Sequence, residues 1–307
     1  MKIETLLTEA EIAAEFADAL EARDLPDKFF YWSPFSVRAW QKLARNGATE
    51  SGRQAWAALL DSAPDLASRF DGDIALVSLG AGEGTKDLPL AQALAAAGAQ
   101  IEYFPVDASQ ILLEAACVAA EQVDIETLGI KADISSPAHL VLAADASELP
   151  KLYLVAGNTM GGQDPHVLAR QLRETLREGD WALVDAEVYS EAALAERETD
   201  LGRAFAGAPL HSYGVQPEDG EVHFELKRDE RTEGLYLLAR YFHAAGDLRV
   251  TSPERDVLLQ RGERVSLNFS YIYTPAAFRK VLRSAGLKVA AETRSADGRC
   301  VIALCSR

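Results

Sequence analysis

Ile74-Ala-Leu-Val-Ser-Leu-Gly80-Ala-Gly82-Glu-Gly84-Thr-Lys86 and the following Ile101-Glu-Tyr-Phe-Pro-Val-Asp107-Ala-Ser109 decide the fold class of this 307-residue chain. An apolar, β-branched run delivers the backbone into a glycine-rich turn. A second apolar strand then ends on a carboxylate suited to a ribose diol, as in nucleotide-cofactor folds. Residues without Cβ take positive φ and let a ligand approach the backbone. The spacing is G-x-G-x-G, with Thr85 where a dinucleotide fingerprint carries its third glycine, and this tighter turn favours S-adenosylmethionine over NAD.

Working outward, the pattern reads strand 74–79, helix near 86–97, strand 101–106 and helix near 110–123, which is βαβ logic with parallel strands. Lys151-Leu-Tyr-Leu-Val is a further strand entering a loop at Gly157-Asn158. Pro165 to Arg177 reads as helix and Asp180 to Asp185 as the next strand. Upstream, Thr8 and Glu11 form a capping-box signature ahead of an acidic amphipathic helix. The dense aromatic cluster Phe29, Phe30, Tyr31, Trp32 and Phe35 follows, open to two readings, core between lobes or cover for a ligand.

Beyond about residue 195 the character changes. Val222-His-Phe-Glu-Leu-Lys alternates, Gly234-Leu-Tyr-Leu-Leu-Ala-Arg-Tyr-Phe is largely apolar, and Val265 to Tyr273 alternates again, as antiparallel strands with one wet face do. A helix from Pro275 stops at Gly286, and Lys288 to Glu292 with Cys300 to Leu304 resembles a closing hairpin. The expected division is therefore a Rossmann-like domain over 54–195 and an α+β lobe built from 1–53 and 196–307.

Composition narrows the function. A net charge of −16 with scattered basic residues repels a phosphate backbone, so nucleic acid is not an expected partner. No apolar run reaches a membrane span, and Met1-Lys-Ile-Glu-Thr lacks the order of a signal peptide, so a cytoplasmic protein without membrane contact is expected. Cys117, Cys300 and Cys305 form no C-x-x-C pair and read as buried thiols, while the five histidines show no metal-binding spacing. No metal is expected.

The order of four segments resembles that of the histidine-specific N-α-methyltransferases of ergothioneine biosynthesis. They are Leu25-Pro-Asp-Lys-Phe-Phe-Tyr31, Gly80 to Lys86, Tyr103-Phe-Pro-Val-Asp107-Ala-Ser109, and Gly157-Asn-Thr-Met-Gly161 with the helix after it. The resemblance implies a class I, Rossmann-like α/β fold, S-adenosylmethionine as methyl donor, and a second lobe, made from both chain ends, that covers it. It implies that Gly80 and Gly82 face the donor, Lys86 lies near its carboxylate, Asp107 holds the ribose hydroxyls and Asp133 bonds the adenine amino group. Tyr31 approaches from the second lobe, and Ala81, Ala108, Ile134 and Gly157 complete the donor set. Asp133 also suits a plain helix cap ahead of Ser135.

The acceptor side departs from that family. Leu43-Ala-Arg-Asn-Gly-Ala-Thr-Glu50 stands where the family carries Tyr-Tyr-Pro-Thr-Arg, Gly162 stands for an asparagine, and Asn268-Phe-Ser270 stands for Glu-x-Ser. Asn158, Gly162, Asn268 and Ser270 are the expected acceptor residues, Asn158 being equally suited to a positive-φ turn. A neutral residue at 268 removes a charge-assisted contact, so histidine is not the expected substrate. The expected activity is direct methyl transfer to a small amine-bearing or amino-acid-like molecule, with no catalytic base singled out. A donor-binding protein without catalysis and a nicotinamide-dependent oxidoreductase are the alternatives.

Overall fold

The computed structural model describes residues 1–252 and 254–307. Its strands are β1 Ile3–Thr5, β2 Ile74–Leu79, β3 Ile101–Asp107, β4 Glu126–Thr127, β5 Gly129–Lys131, β6 Lys151–Val155, β7 Trp181–Glu187, β8 Gly220–Arg228, β9 Leu235–Ala244, β10 Leu248–Thr251, β11 Asp256–Leu259, β12 Arg264–Ser266, β13 Ser270–Tyr273, β14 Lys288–Arg294 and β15 Cys300–Ser306. The helices are α1 Glu9–Glu21, α2 Pro34–Leu43, α3 Glu50–Leu60, α4 Ala63–Ala67, α5 Asp87–Ala96, α6 Gln110–Glu121, α7 Pro137–Ala144, α8 Pro165–Thr175, α9 Ala193–Arg197, α10 Asp200–His211 and α11 Pro275–Ser284. The capping box expected from Thr8 and Glu11 opens α1.

The central sheet runs β1-β5-β3-β2-β6-β7-β15-β14, with β4 beside β3. Strands β1 to β7 pair in parallel, whereas β15 is antiparallel to both β7 and β14. This is the class I, Rossmann-like arrangement. Every residue of β2 and β6 is buried, as strands covered on both faces by helices must be. The chain leaves β2 toward β3 on one side and returns to β6 on the other. The loops after β2 and β6 consequently open a crevice at their carboxyl ends, where such sheets bind ligands.

The second sheet is built on β9, with β8 along one edge and β12 and β13 along the other. Alternating exposure along β8 gives it one wet face. The aromatic cluster divides: Phe29 and Phe30 are fully buried in this lobe's core, Tyr31 and Trp32 lie half-buried at its edge, and Phe35 is exposed. The three cysteines are buried and free. Among the described residues no helix is long and apolar enough to cross a membrane.

Two expectations are corrected. The second lobe does not extend to residue 307. Its C-terminal hairpin, β14 and β15, completes the central sheet, and α3 packs on it from residue 50 onward. The reason lies in Val301-Ile-Ala-Leu-Cys305, a run buried throughout, which needs a sheet covered on both faces rather than one with a wet side. Nor is Val265 to Tyr273 one strand. The chain leaves the ladder at 267–269, where the buried Asn268 side chain bonds to Arg240 and Asp27 instead of facing solvent.

Candidate active site

The glycine turn is tied to the end of β3. Gly80 and Ala81 donate their N–H groups to Val106 O at 2.8 and 3.1 Å, and Gly80 and Gly82 have φ of +74° and +57°. Asp107 accepts from Gly82 N at 2.9 Å through Oδ2 and from Ser109 N at 2.8 Å through Oδ1. Burial pushes its carboxyl above the usual range, and bonds from Ser109, Gly82 and Ala108 N–H groups pull the other way. A Cβ built on Gly82 would meet nothing within 4 Å, so the space beside the turn is open. Gly84 does different work: its bare Cα faces Tyr103 and Ala116, letting the turn pack on β3 and α6.

The loop after β6 is shaped by a buried carboxylate. Asp185, 2% exposed, accepts from Gly157 N and Asn158 N at 2.7 Å each and from Trp56 Nε1 at 2.8 Å. Lys86, from the glycine turn, lies across this loop. Its Nζ is 2.9 Å from the position of a Cβ on Gly157, whose φ is +77°. Gly157→Ala would therefore combine a disfavoured backbone with displacement of the ammonium. We expect S-adenosylhomocysteine to bind this variant about tenfold more weakly, with a modest fall in Tm, as measured by calorimetric titration and thermal unfolding.

Asn158 turns inward. At φ +62° it lies against Gly161, and its Oδ1 accepts from Glu187 N at 3.4 Å. Its side chain packs on its own loop. Asp133 follows β5, with Lys28 Nζ at 2.6 Å on Oδ2 and Ser135 N and Oγ at 2.8 and 2.6 Å on Oδ1. Burial alone would raise its carboxyl; Lys28 and Ser135 together hold it below the usual range. Ile134 beside it is half-buried.

Backbone bonds tie the second lobe to the loops after β6 and β7 and, at Leu25, hold its N-terminal segment on the strand that carries Ser266. Tyr271 N donates to Gly161 O at 2.8 Å, Tyr189 N to Tyr273 O at 2.8 Å, and Leu25 N to Ser266 O at 2.8 Å. That stitching brings Asp27 over the loop after β6. Asp27 Oδ2 is 2.8 Å from the position of a Cβ on Gly162, so a side chain there would push the carboxylate aside. Asn268 Nδ2 donates to Asp27 Oδ1 at 3.1 Å, while Arg240 donates to Asn268 Oδ1 at 3.3 Å and to Ser270 Oγ at 3.1 Å. Tyr31 packs edge-on against Trp40, with centroids 5.6 Å apart. Its phenol is raised well above the usual value by burial and by the charges of Asp27 and Asp107, against the opposing pull of Arg240.

Glycine turns, the Asp107 carboxylate at the end of β3 and Lys86, which among the described residues makes no carboxylate contact, come together at the strand ends. The family profile described as "Histidine-specific methyltransferase, SAM-dependent" matches residues 10–199. This chain belongs to that family. The histidine-specific methyltransferases use S-adenosylmethionine, which sets aside the nicotinamide alternative, and the chain is an S-adenosylmethionine-dependent methyltransferase by family and fold.

No curated protein matches the chain. Among solved structures it is similar to an S-adenosylmethionine-dependent methyltransferase from Clostridium acetobutylicum ATCC 824, at 13% identity over 87% of this chain and 98% of that one, with a TM-score of 0.47. It is also similar to the CcbJ methyltransferase from Streptomyces caelestis, at 16% identity over 83% and 89% of the two chains and a TM-score of 0.41.

At the position where the family carries a carboxylate, the structure shows a neutral amide in contact with a carboxylate from elsewhere. Asn268 is neutral, but Asp27 meets its amide from another element. The sequence signals for the two unforeseen residues were present. Asp27 lies inside the quoted Leu25 to Tyr31 segment, and Arg240 is the single charge in the apolar run Leu235 to Ala244. The hollow lined by Arg177, Asp180, Trp181 and Arg307 opens at the opposite end of the sheet, where β7 begins.

Proposed function

We propose that this methyltransferase alkylates the nitrogen of a small amine-bearing or amino-acid-like acceptor, seated between the second lobe and the carboxyl ends of the central strands. One observation carries the reading: Asp27, from the second lobe, lies over the loop at Gly162 and is linked through Asn268 and Arg240 to Ser270, and its charge bears on Tyr31. On this reading Gly80, Ala81, Gly82, Lys86, Asp107, Ala108, Asp133, Ile134 and Gly157 hold the donor, with Tyr31 closing over it.

When bound, S-adenosylmethionine supplies an electrophilic methyl carbon on sulfonium. The chain's own contribution is alignment and exclusion of water. Holding two reactants in line contributes roughly 7–11 kcal/mol, and no covalent enzyme intermediate is required. The carboxylate beside the acceptor enters from position 27 rather than 268, so the acceptor lies differently from histidine in its relatives.

The test is calorimetric titration with S-adenosylhomocysteine, followed by incubation of the protein and S-adenosylmethionine with a broad amine panel that includes histidine. The expected result is micromolar binding and a mass gain of one methyl group on amines other than histidine. Efficient histidine methylation would contradict the altered acceptor geometry. Donor binding with no transfer to any amine would favour the non-catalytic alternative.

A further inference from the structure

Two charges of opposite sign lie close together in the second lobe, Arg240 buried and Asp27 half-buried, and among the described residues they form no ion pair. The Arg240 guanidinium is 7% exposed; its Nη1 reaches Asn268 O and Oδ1 at 3.3 Å each, and Nη2 reaches Ser270 Oγ at 3.1 Å. All of these partners are neutral. Asp27 is likewise met by a neutral group, Asn268 Nδ2 at 3.1 Å. The neighbouring cations are engaged elsewhere: Lys28 pairs with Asp133 and Glu15, and Arg197 pairs with Glu187. One amide thus stands between the charges, its carbonyl toward the arginine and its NH2 toward the carboxylate.

A fold selected for stability alone would pair such charges or replace them with apolar groups, since a buried charge lacking a counterion is strongly unfavourable. Gly162 lies directly beside the carboxylate. Its missing side chain leaves room for the Asp27 carboxylate, which is densely surrounded yet keeps part of its surface open to solvent, as a group on the floor of a cleft does.

We propose that Asp27 and Arg240 are the two poles of the acceptor site: Asp27 receives the acceptor's ammonium and takes its proton, and Arg240 pairs with an acid group on the same molecule. This rests on the amine-acceptor reading above and adds the groups that select the acceptor. In the proton step an N–H bond of the ammonium breaks and an O–H bond forms on Asp27, leaving a neutral amine with a free lone pair. The proton leaves Asp27 for solvent after the product departs.

The electrostatics agree. Burial pushes the Asp27 carboxyl up to about 6, against the hydrogen bond from Asn268 and the charge of Arg240 and with the help of Asp107. A base poised there is ionised at neutral pH and still accepts a proton from a nearby donor. Burial pulls Arg240 down to about 10, with Arg197 adding to the shift, and the side chain remains charged.

The experiment uses the full chain loaded with S-adenosylhomocysteine for binding and with S-adenosylmethionine for turnover. The probes are glycine, β-alanine, 4-aminobutanoate and 5-aminopentanoate, each beside its methyl ester and the corresponding alkylamine. At least one free amino acid should bind and be methylated, with kcat/KM about 30-fold above its ester and amine. Arg240→Gln should collapse that preference. Asp27→Asn should lower kcat/KM by about 100-fold and remove the acid limb near pH 6, with affinity for S-adenosylhomocysteine unchanged.

Thermal unfolding at pH 8 separates this from a structural role. Removing an uncompensated charge should leave Tm of the unliganded Asp27→Asn variant equal to wild type or a few degrees higher. A drop of more than about 5 °C would mark the carboxylate as a structural partner and overturn the proposal. So would equal use of esters and free acids, or no binding of any free amino acid by protein that binds S-adenosylhomocysteine. Failure to bind S-adenosylhomocysteine would instead overturn the donor reading.

Discussion

Asp107→Ala is expected to weaken S-adenosylhomocysteine binding by at least about 100-fold while leaving a folded protein. The wild-type carboxylate joins Gly82 N and Ser109 N, which lie in the turn after β2 and at the cap of α6. Each of its oxygens keeps a further lone pair, and a carboxylate can accept protons from two neighbouring hydroxyls. Removing it eliminates that acceptor pair and loosens the spacing of the two loops. A hydrogen bond to a charged group contributes about 1.5–3 kcal/mol, so losing two readily reaches the stated change. The fold should survive because burial already disfavours the charge. Calorimetric titration of both proteins gives the affinity. Thermal unfolding adds a second readout, since a saturating ligand raises Tm only of the protein that binds it. An affinity within threefold of wild type would remove Asp107 from the donor site.

Asp185→Ala is expected to act mainly on stability. Three donors lose one shared acceptor: Gly157 N, Asn158 N and Trp56 Nε1. Because Asp185 is 2% exposed, water does not readily replace it. The Trp56 Nε1 donor is buried and the two backbone donors only partly so, so with about 1–3 kcal/mol for a stranded buried donor a loss of roughly 2–4 kcal/mol and a fall in Tm on the order of 5–10 °C follow. Asp185→Asn should fare little better, because its NH2 group would confront N–H donors. Chemical denaturation with both variants checks the magnitude. Since the same carboxylate sets the loop that Lys86 crosses, the surviving folded fraction should also bind S-adenosylhomocysteine more weakly. A variant as stable as wild type would mean that the loop is held by other contacts.

These two aspartates differ in how visible they are in sequence. Asp107 ends an apolar run and follows a glycine turn, so its bond to that turn is local and readable from its neighbours. Asp185 also ends an apolar run, yet nothing local reveals that it serves the loop after β6 and a tryptophan of α3. The same contrast applies to the acceptor side. Asn268 was singled out as a neutral substitution, but its partners Asp27 and Arg240 come from the chain's first lobe segment and from β9. Gly162, legible only as a departure from the family, acquires its meaning when Asp27 occupies the space beside it.

The sequence by itself determined the strand, turn and helix alternation over 74–123 and 151–185, the glycine turns at the strand ends and the capped first helix. Those features depend on periodicity, φ freedom and hydrogen bonds between residues close in the chain. Only the tertiary structure decided that the C-terminal hairpin completes the central sheet, that Val265 to Tyr273 breaks at Asn268, and that Asp27 and Arg240 share one amide. Burial on both faces and the meeting of charges from distant segments are properties of packing, and hydropathy along the chain does not encode which distant group will stand opposite.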